Sequence, residues 1–84
     1  MLELYQFEGC PSCARVRETL DELGLDYAVR TVPRDRGLRQ RVEKVSGQRG
    51  VPVLVDPETK QVIVDSEAIV NWLRKHHAGR ALSE

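Results

Sequence analysis

The chain is poor in aromatic residues and in cysteine and has no excess of either charge, and each shortage removes a class of function. One Trp, two Tyr and one Phe are its whole aromatic content, and thirteen Lys and Arg are balanced by thirteen Asp and Glu. A nucleic-acid binder would show a basic surface or stacking aromatics, so that class is set aside. No apolar run approaches the roughly 20 residues that span a bilayer. The opening MLELYQFEG lacks a basic start followed by an apolar stretch, so no signal peptide is read. The expectation is a cytoplasmic domain with neither membrane nor nucleic acid as partner. Eighty-four residues allow one thin core, and Leu, Ile, Val and Phe make up roughly a quarter of the chain, enough to fill it. With no surplus apolar surface in the pattern, a monomer is expected.

The two cysteines, Cys10 and Cys13, are too few for a secreted disulfide framework. A bridge between them closes a tiny loop and constrains the unfolded chain little. In a reducing compartment such a pair is reactive or binds metal.

The pattern along the chain predicts the order β-α-β-α-β-β-α. LELYQF at 2–7 is a strand of mixed polarity. Gly9 ends it, and Pro11 suits the first position of a helix whose stripe is Cys13, Val16, Leu20 and Leu23, stopped by Gly24. Asp26 to Val32 is a second strand cut off by Pro33. Leu38, Val42 and Val45 mark a second helix ended by Gly47. Val51–Pro52 opens a third strand, VPVLVD, with Pro where no ladder donor is forfeited. Asp56 to Thr59 turns into a fourth strand at Gln61 to Val64. Ser66 is the expected N-cap of a third helix with Ile69, Trp72 and Leu73 facing inward. The first β-α-β requires a parallel pair with a right-handed crossover, and the last two strands form a hairpin. The predicted architecture is α/β, a four-stranded mixed sheet flanked by three helices. The domain is expected over 1–78, with 79–84 as a loose C-terminal tail.

Cys10-Pro11-Ser12-Cys13 falls where the first strand gives way to the first helix. A nucleophilic cysteine must be a thiolate, and a free thiol is mostly protonated at neutral pH. At the N-cap, Cys10 faces unpaired N–H groups and the positive end of the helix dipole, which favour the anion. Cys13 lies one turn further in and starts the apolar stripe. This arrangement makes Cys10 the attacking and Cys13 the resolving cysteine. Zinc also uses this spacing, but it needs two more ligands. The adjacent His76 and His77 point about 100° apart on a helix of 3.6 residues per turn, so no metal is expected.

With these motifs in order, the chain resembles the glutaredoxins. It is most similar to the N-terminal domain of the glutathione-transferase-like members of that family. The match covers residues 1 to about 77, through CPSC at 10–13, GQRGVPVL at 47–54 and VDSEAIVNWL at 64–73. The resemblance implies a thioredoxin-like fold, a cis Val51–Pro52 bond with Pro52 beside Cys10, and glutathione as co-substrate. It implies that Pro11 belongs to the binding site and that the Val51 backbone pairs with the cysteinyl part of glutathione. It implies that Asp65 and Ser66 hold the γ-glutamyl end, at a helix N-terminus suited to a carboxylate. Two positions depart from the family. Ser12 stands in place of a common tyrosine, and Phe7 where many small glutaredoxins have a carboxylate-anchoring lysine. Gln48 and Arg49 are the nearest candidates for the glycine carboxylate.

From Arg30 to Arg49 basic residues outnumber acidic ones (Arg30, Arg34, Arg36, Arg39, Arg41, Lys44 and Arg49 against Asp35 and Glu43). Such a run is a solvated helix face or a patch that steers an anionic partner. Arg15 and Arg17 would raise thiolate character if they turned toward Cys10, although Arg17 is placed to pair with Asp21 at i+4. The function expected is a glutathione-dependent thiol–disulfide oxidoreductase. It would act on disulfide-containing or glutathionylated proteins and be served indirectly by glutathione reductase. The alternatives are a redoxin fed by thioredoxin reductase or another small thiol, a glutathione-ligated [2Fe–2S] carrier, and a non-catalytic glutathione-sensing or docking domain.

Overall fold

Alternation along the first strand decides how the sheet is covered. In β1 (Leu2–Gln6), Leu2 and Leu4 point to one face and Tyr5 to the other, as a period of two requires. The first face meets α1 (Pro11–Glu22) and α3 (Ser66–Leu82), and Leu2, Leu4, Val16, Leu20, Leu23, Leu25, Leu54, Ile69, Val70 and Leu73 form its core. The second face is thinner. There Tyr5, Val32, Val42 and Val53 pack with Phe7, Val45, Val51 and Val55, under α2 (Gln40–Ser46). The computed structural model describes residues 1–82.

The remaining strands are β2 (Tyr27–Thr31), β3 (Val53–Asp56) and β4 (Gln61–Val64), in the spatial order β2-β1-β3-β4. β1 pairs parallel with β2 and antiparallel with β3, and β3 pairs antiparallel with β4. This is the four-stranded mixed sheet with three helices predicted from the sequence. The first helix begins at Pro11 as expected, and Gly24 breaks it with φ +67°, a conformation costly for a residue with a Cβ.

Several element ends differ from expectation for identifiable reasons. β3 starts at Val53 rather than Val51, beyond the proline that lacks a donor. The second helix is a 3-10 turn (Arg36–Leu38) followed by the short α2. Leu38 sits on that turn and is 58% exposed, so it is not part of the helix's inward stripe. Asp65, not Ser66, caps α3: the Ala68 N–H donates to Asp65 Oδ2 at 3.3 Å, and the Ile69 N–H to the Asp65 carbonyl at 2.9 Å. Asp65 adopts φ +81° to do so, a region where Asp and Asn are enriched among non-glycine residues. α3 continues through Leu82, so residues 79–82 are helical rather than a loose tail. Gly79 costs only about 1 kcal/mol inside a helix, and Arg80, Ala81 and Leu82 are strong helix formers. Residues 83 and 84 lie outside the described residues.

Candidate functional site

The sheet register gathers the three motifs. Tyr5 of β1 lies opposite Val53 of β3, and Val53 opposite Val64 of β4. These three residues form one row across three strands, and neighbouring strands are about 4.8 Å apart. The chain leaves β1 toward Cys10, enters β3 through Val51–Pro52, and leaves β4 into Asp65–Ser66, all at that same end. The parallel partner β2 ends there too, with Thr31 beside Gln6. The Val51–Pro52 peptide bond is cis, as the resemblance implied.

Cys10 is the N-cap of α1, with extended φ −86° and ψ 112°, and Pro11 follows in the first turn. Its carbonyl accepts the Ala14 N–H at 3.0 Å. Its Sγ accepts the Cys13 N–H at 3.4 Å and lies 3.3 Å from the Ser12 hydroxyl. Burial pushes the Cys10 thiol up. Hydrogen bonds from the Cys13 side chain, the Ser12 hydroxyl and the N–H groups of Cys13 and Ser12 outweigh it, and the net position is below the ordinary 9.0. Ser12 is thus one of the groups that hold charge on Cys10.

Cys13 has the opposite balance. It is fully buried, and burial together with its hydrogen bond to Cys10 pushes it up to about 12, against weaker opposition from the Phe7 N–H and the Arg17 charge. Both cysteines are free thiols. Two groups three residues apart therefore differ in which protonation state the fold favours, because one caps the helix and the other enters the core.

The expected arginine contacts are redistributed. Arg17 does not pair with Asp21 but donates to Oε1 of Gln6, whose own amide donates to Thr31 at 3.0 Å. Gln6 is almost fully buried in an otherwise apolar row, and this partnership satisfies it. Arg15 turns to Glu67 at 2.6 Å and ties α1 to the first turn of α3.

At the other motif, Val51 lies outside β3 and, among the described residues, enters none of the backbone hydrogen bonds that tie the turns and caps together. Ser66 is half-buried in the first turn of α3. Its N–H and that of Glu67 belong to the helix start that lacks intrahelical acceptors. His76 and His77 lie against Trp72, with ring centroids 4.9 and 5.4 Å away.

Gln48 and Arg49 both bond to their own loop and its surroundings. The Gln48 amide donates to Ser46 Oγ at 2.8 Å and to the Gly50 carbonyl at 3.1 Å, and its oxygen accepts the Gly50 N–H at 2.7 Å. Arg49 grips the Glu43 carboxylate at 3.1 and 3.3 Å and the carbonyls of Arg36 and Gly37 at 3.2 and 2.8 Å. Through these contacts both side chains brace the loop that leads into Val51–Pro52.

The residue that sequence reasoning missed is Arg39. It is 3% exposed and donates to the carbonyls of Pro33 at 2.8 Å, Arg34 at 3.0 Å and Arg49 at 3.0 Å. Its guanidinium lies 4.9 Å from the centre of the Phe7 ring, a cation–π contact. One side chain thus joins the end of β2, the loop before Val51–Pro52 and the segment before Cys10. In the sequence it is one arginine in a basic run, and nothing in the pattern distinguishes it from its solvated neighbours.

A family model described as glutathione S-transferase, N-terminal domain, matches residues 4–81. Prostaglandin E synthase 2 of Mus musculus is 37% identical over 86 residues, which cover 99% of this chain and 22% of that protein. A gene 56 protein of Mycobacterium phage D29 is 29% identical over 62 residues, covering 74% of this chain and 69% of that one. A Phanerochaete chrysosporium glutathione transferase solved with oxidized glutathione superposes with a TM-score of 0.84 at 26% identity, over 94% of this chain and 37% of that chain. Glutaredoxin 2 of Salmonella typhimurium, solved with glutathione, gives a TM-score of 0.77 at 20% identity, over 87% and 32%. The chain spans 22% of the mouse synthase and 37% of the Phanerochaete transferase. The fold is the thioredoxin-like α/β fold, and by the match over residues 4–81 the chain belongs to the glutathione S-transferase N-terminal domain family.

Proposed function

We propose that this chain is a glutathione-dependent thiol–disulfide oxidoreductase of the glutaredoxin kind, acting through Cys10. The observation that carries the reading is the split between the two thiols: Cys10 is held below its ordinary value, while Cys13 is pushed up to about 12. A family member that only binds glutathione needs neither cysteine in this arrangement.

The Cys10 thiolate attacks the glutathione sulfur of a glutathionylated substrate. A Cys10–glutathione disulfide forms, and the substrate leaves as a thiolate that takes a proton from water. A second glutathione thiolate then attacks the glutathione sulfur, releasing oxidised glutathione and the Cys10 thiolate. In the dithiol route Cys13 instead attacks Sγ of Cys10, expelling reduced glutathione, and two further glutathiones reduce the resulting Cys10–Cys13 bond. Cys13 must lose its proton to do this, so the glutathione route is favoured at neutral pH.

Glutathione is read into the site as an extended ligand along the row Tyr5–Val53–Val64. Its cysteinyl part would pair with the Val51 backbone beside Pro11 and Pro52, as a strand added at an exposed edge. Its γ-glutamyl carboxylate would meet Ser66 and the free N–H groups of α3, where a helix start favours an anion. The Asp65 carboxylate would face the ammonium. Gln48 and Arg49, which brace this loop, would be the nearest groups to its glycine carboxylate. Partners would be glutathione and disulfide-containing or glutathionylated proteins. Among the described residues no helix is long and apolar enough to cross a membrane.

The test is turnover of the mixed disulfide of glutathione and β-mercaptoethanol, coupled to glutathione reductase. Cys10→Ser is expected to fall to background and Cys13→Ser to retain most activity. A wild type at background overturns the reading. A second reading rests on the 37% identity to prostaglandin E synthase 2: the same site would serve a prostaglandin synthase. Formation of a prostaglandin E product that disappears in Cys10→Ser would favour it.

A further inference from the structure

The basic run from Arg30 to Arg49 separates in the structure into two populations. Arg30 pairs with Glu3, Arg49 with Glu43, and Arg39 is buried. Arg34, Arg36, Arg41 and Lys44 are exposed, and among the described residues none of them enters an ion pair. Asp35, between Arg34 and Arg36, has one carboxylate oxygen on the Gly37 N–H at 2.8 Å, and Glu43, beside Lys44, is taken by Arg49. The sequence is neutral overall, so this local excess of cations is matched by an acidic excess elsewhere on the chain.

Leu38 stands within this strip. It is 58% exposed, although apolar spacing assigned it to a helix core, and no packing in the fold accounts for it. The strip is also tied to the candidate site. Arg49 hydrogen-bonds the carbonyls of Arg36 and Gly37, and Arg39 hydrogen-bonds the Arg49 carbonyl. The Arg36 guanidinium lies 3.8 Å from where a Gly50 Cβ would stand. The turn that carries Leu38 and its cations is thus laced to the loop that delivers Val51–Pro52.

We infer that this strip is a docking surface for protein substrates whose disulfide is flanked by an acidic segment with an apolar side chain. The acidic groups would meet Arg34, Arg36, Arg41 and Lys44, and the apolar side chain would cover Leu38. Complementary charge raises encounter rates and fixes orientation, and here it would present the substrate disulfide to Cys10. The inference rests on the oxidoreductase reading for its chemistry, but the binding surface can be tested without it.

Two glutathionylated peptides serve as probes, one Glu-rich with a single Leu, the other its Lys-rich twin. The mixed disulfide of glutathione and β-mercaptoethanol is the small reference. Wild type is expected to turn over the acidic peptide roughly tenfold faster in kcat/KM than the basic one at about 20 mM salt. Most of that preference should vanish at about 200 mM. Arg34→Glu combined with Lys44→Glu should abolish it, and Leu38→Gln should slow the acidic peptide a few-fold, with the small reference unchanged in both. Equal rates for the two peptides, or a preference that survives charge reversal, overturns the inference. If the wild type turns over nothing, the oxidoreductase reading has failed, and binding then decides the docking surface. The acidic peptide with Ser in place of Cys should still shift the NMR signals of residues 34–44 in a salt-dependent way. No shift there overturns the surface as well.

Discussion

The two halves of the candidate site are built by different physics. The cysteine half, β1 running into α1, rests on a packed apolar core in which Leu4, Val16, Leu20, Leu54, Ile69 and Leu73 are fully buried. The loop half, from the end of β2 through α2 to Val51–Pro52, has a thinner core and is laced by side-chain hydrogen bonds to backbone carbonyls, chiefly from Arg39, Arg49 and Gln48. Apolar packing is close and unyielding, which suits a half where a thiol must sit within a few tenths of an ångström of its donors. Polar lacing fixes an irregular loop whose carbonyls would otherwise lack partners. A site made this way would keep Cys10 on rigid structure and the Val51–Pro52 edge on a braced loop.

Each half can be broken separately. Leu20→Ala on the buried side of α1 should cost about 2–5 kcal/mol, read as a lowered urea midpoint with one cooperative transition. Arg39→Met should cost less in global unfolding, about 2–3 kcal/mol for the unpaired carbonyls. Its diagnostic effect is local: amide exchange at Gly50, whose N–H donates to Gln48, should accelerate while Leu4 and Leu54 follow only the global loss. If the exchange increase spreads evenly over the sheet, the loop half is not independently braced. Turnover should show the same division, with Arg39→Met raising KM for glutathione substrates more than it lowers kcat.

A smaller change sharpens the comparison within the cysteine half. Ser12→Ala removes one of the hydrogen bonds that hold charge on Cys10, so its thiol should move back up. Reaction with iodoacetamide at pH 7 should slow roughly two- to fivefold, since reactivity follows the thiolate fraction. Stability should barely change. The variant would contradict the account if Cys10 reacted faster.

Cys13 leaves a mark on stability opposite in sign to that of Cys10. Its folded value of about 12 lies above the ordinary 9.0, so above pH 9 the unfolded chain releases this proton while the folded chain retains it. Unfolding is then favoured as pH rises. Stability should fall between pH 9.0 and about 12, and Cys13→Ser should remove that part of the slope. A slope unchanged in Cys13→Ser would place its origin elsewhere.

The cysteine half was legible in the sequence because its rules are local. Pro11 and Gly24 bracket a helix whose apolar stripe repeats every three or four residues, and the CPSC motif falls at its start. β4 occupies Gln61–Val64 as predicted, because a turn signal precedes a short run of β-branched residues. The loop half was legible only in outline: Val42, Val45 and Gly47 marked α2, but its arginines differ in three dimensions and not in pattern. Arg39 is interior while Arg41 is exposed, and Leu38 faces outward because a 3-10 turn changes the helical phase. Asp65 displaces Ser66 as the cap by adopting a positive φ, which no spacing rule announces. Gln6 is buried in a strand position that alternation reserves for an apolar residue, and only its contacts with Arg17 and Thr31 explain it.

The most direct measurement of the central claim is the pH dependence of alkylation at each cysteine, resolved by peptide mapping of native protein between pH 4 and about 12. The account predicts that Cys10 becomes reactive below the ordinary 9.0 and that Cys13 stays inert until about 12. Simultaneous titration near 9.0, or Cys13 reacting first, would contradict it.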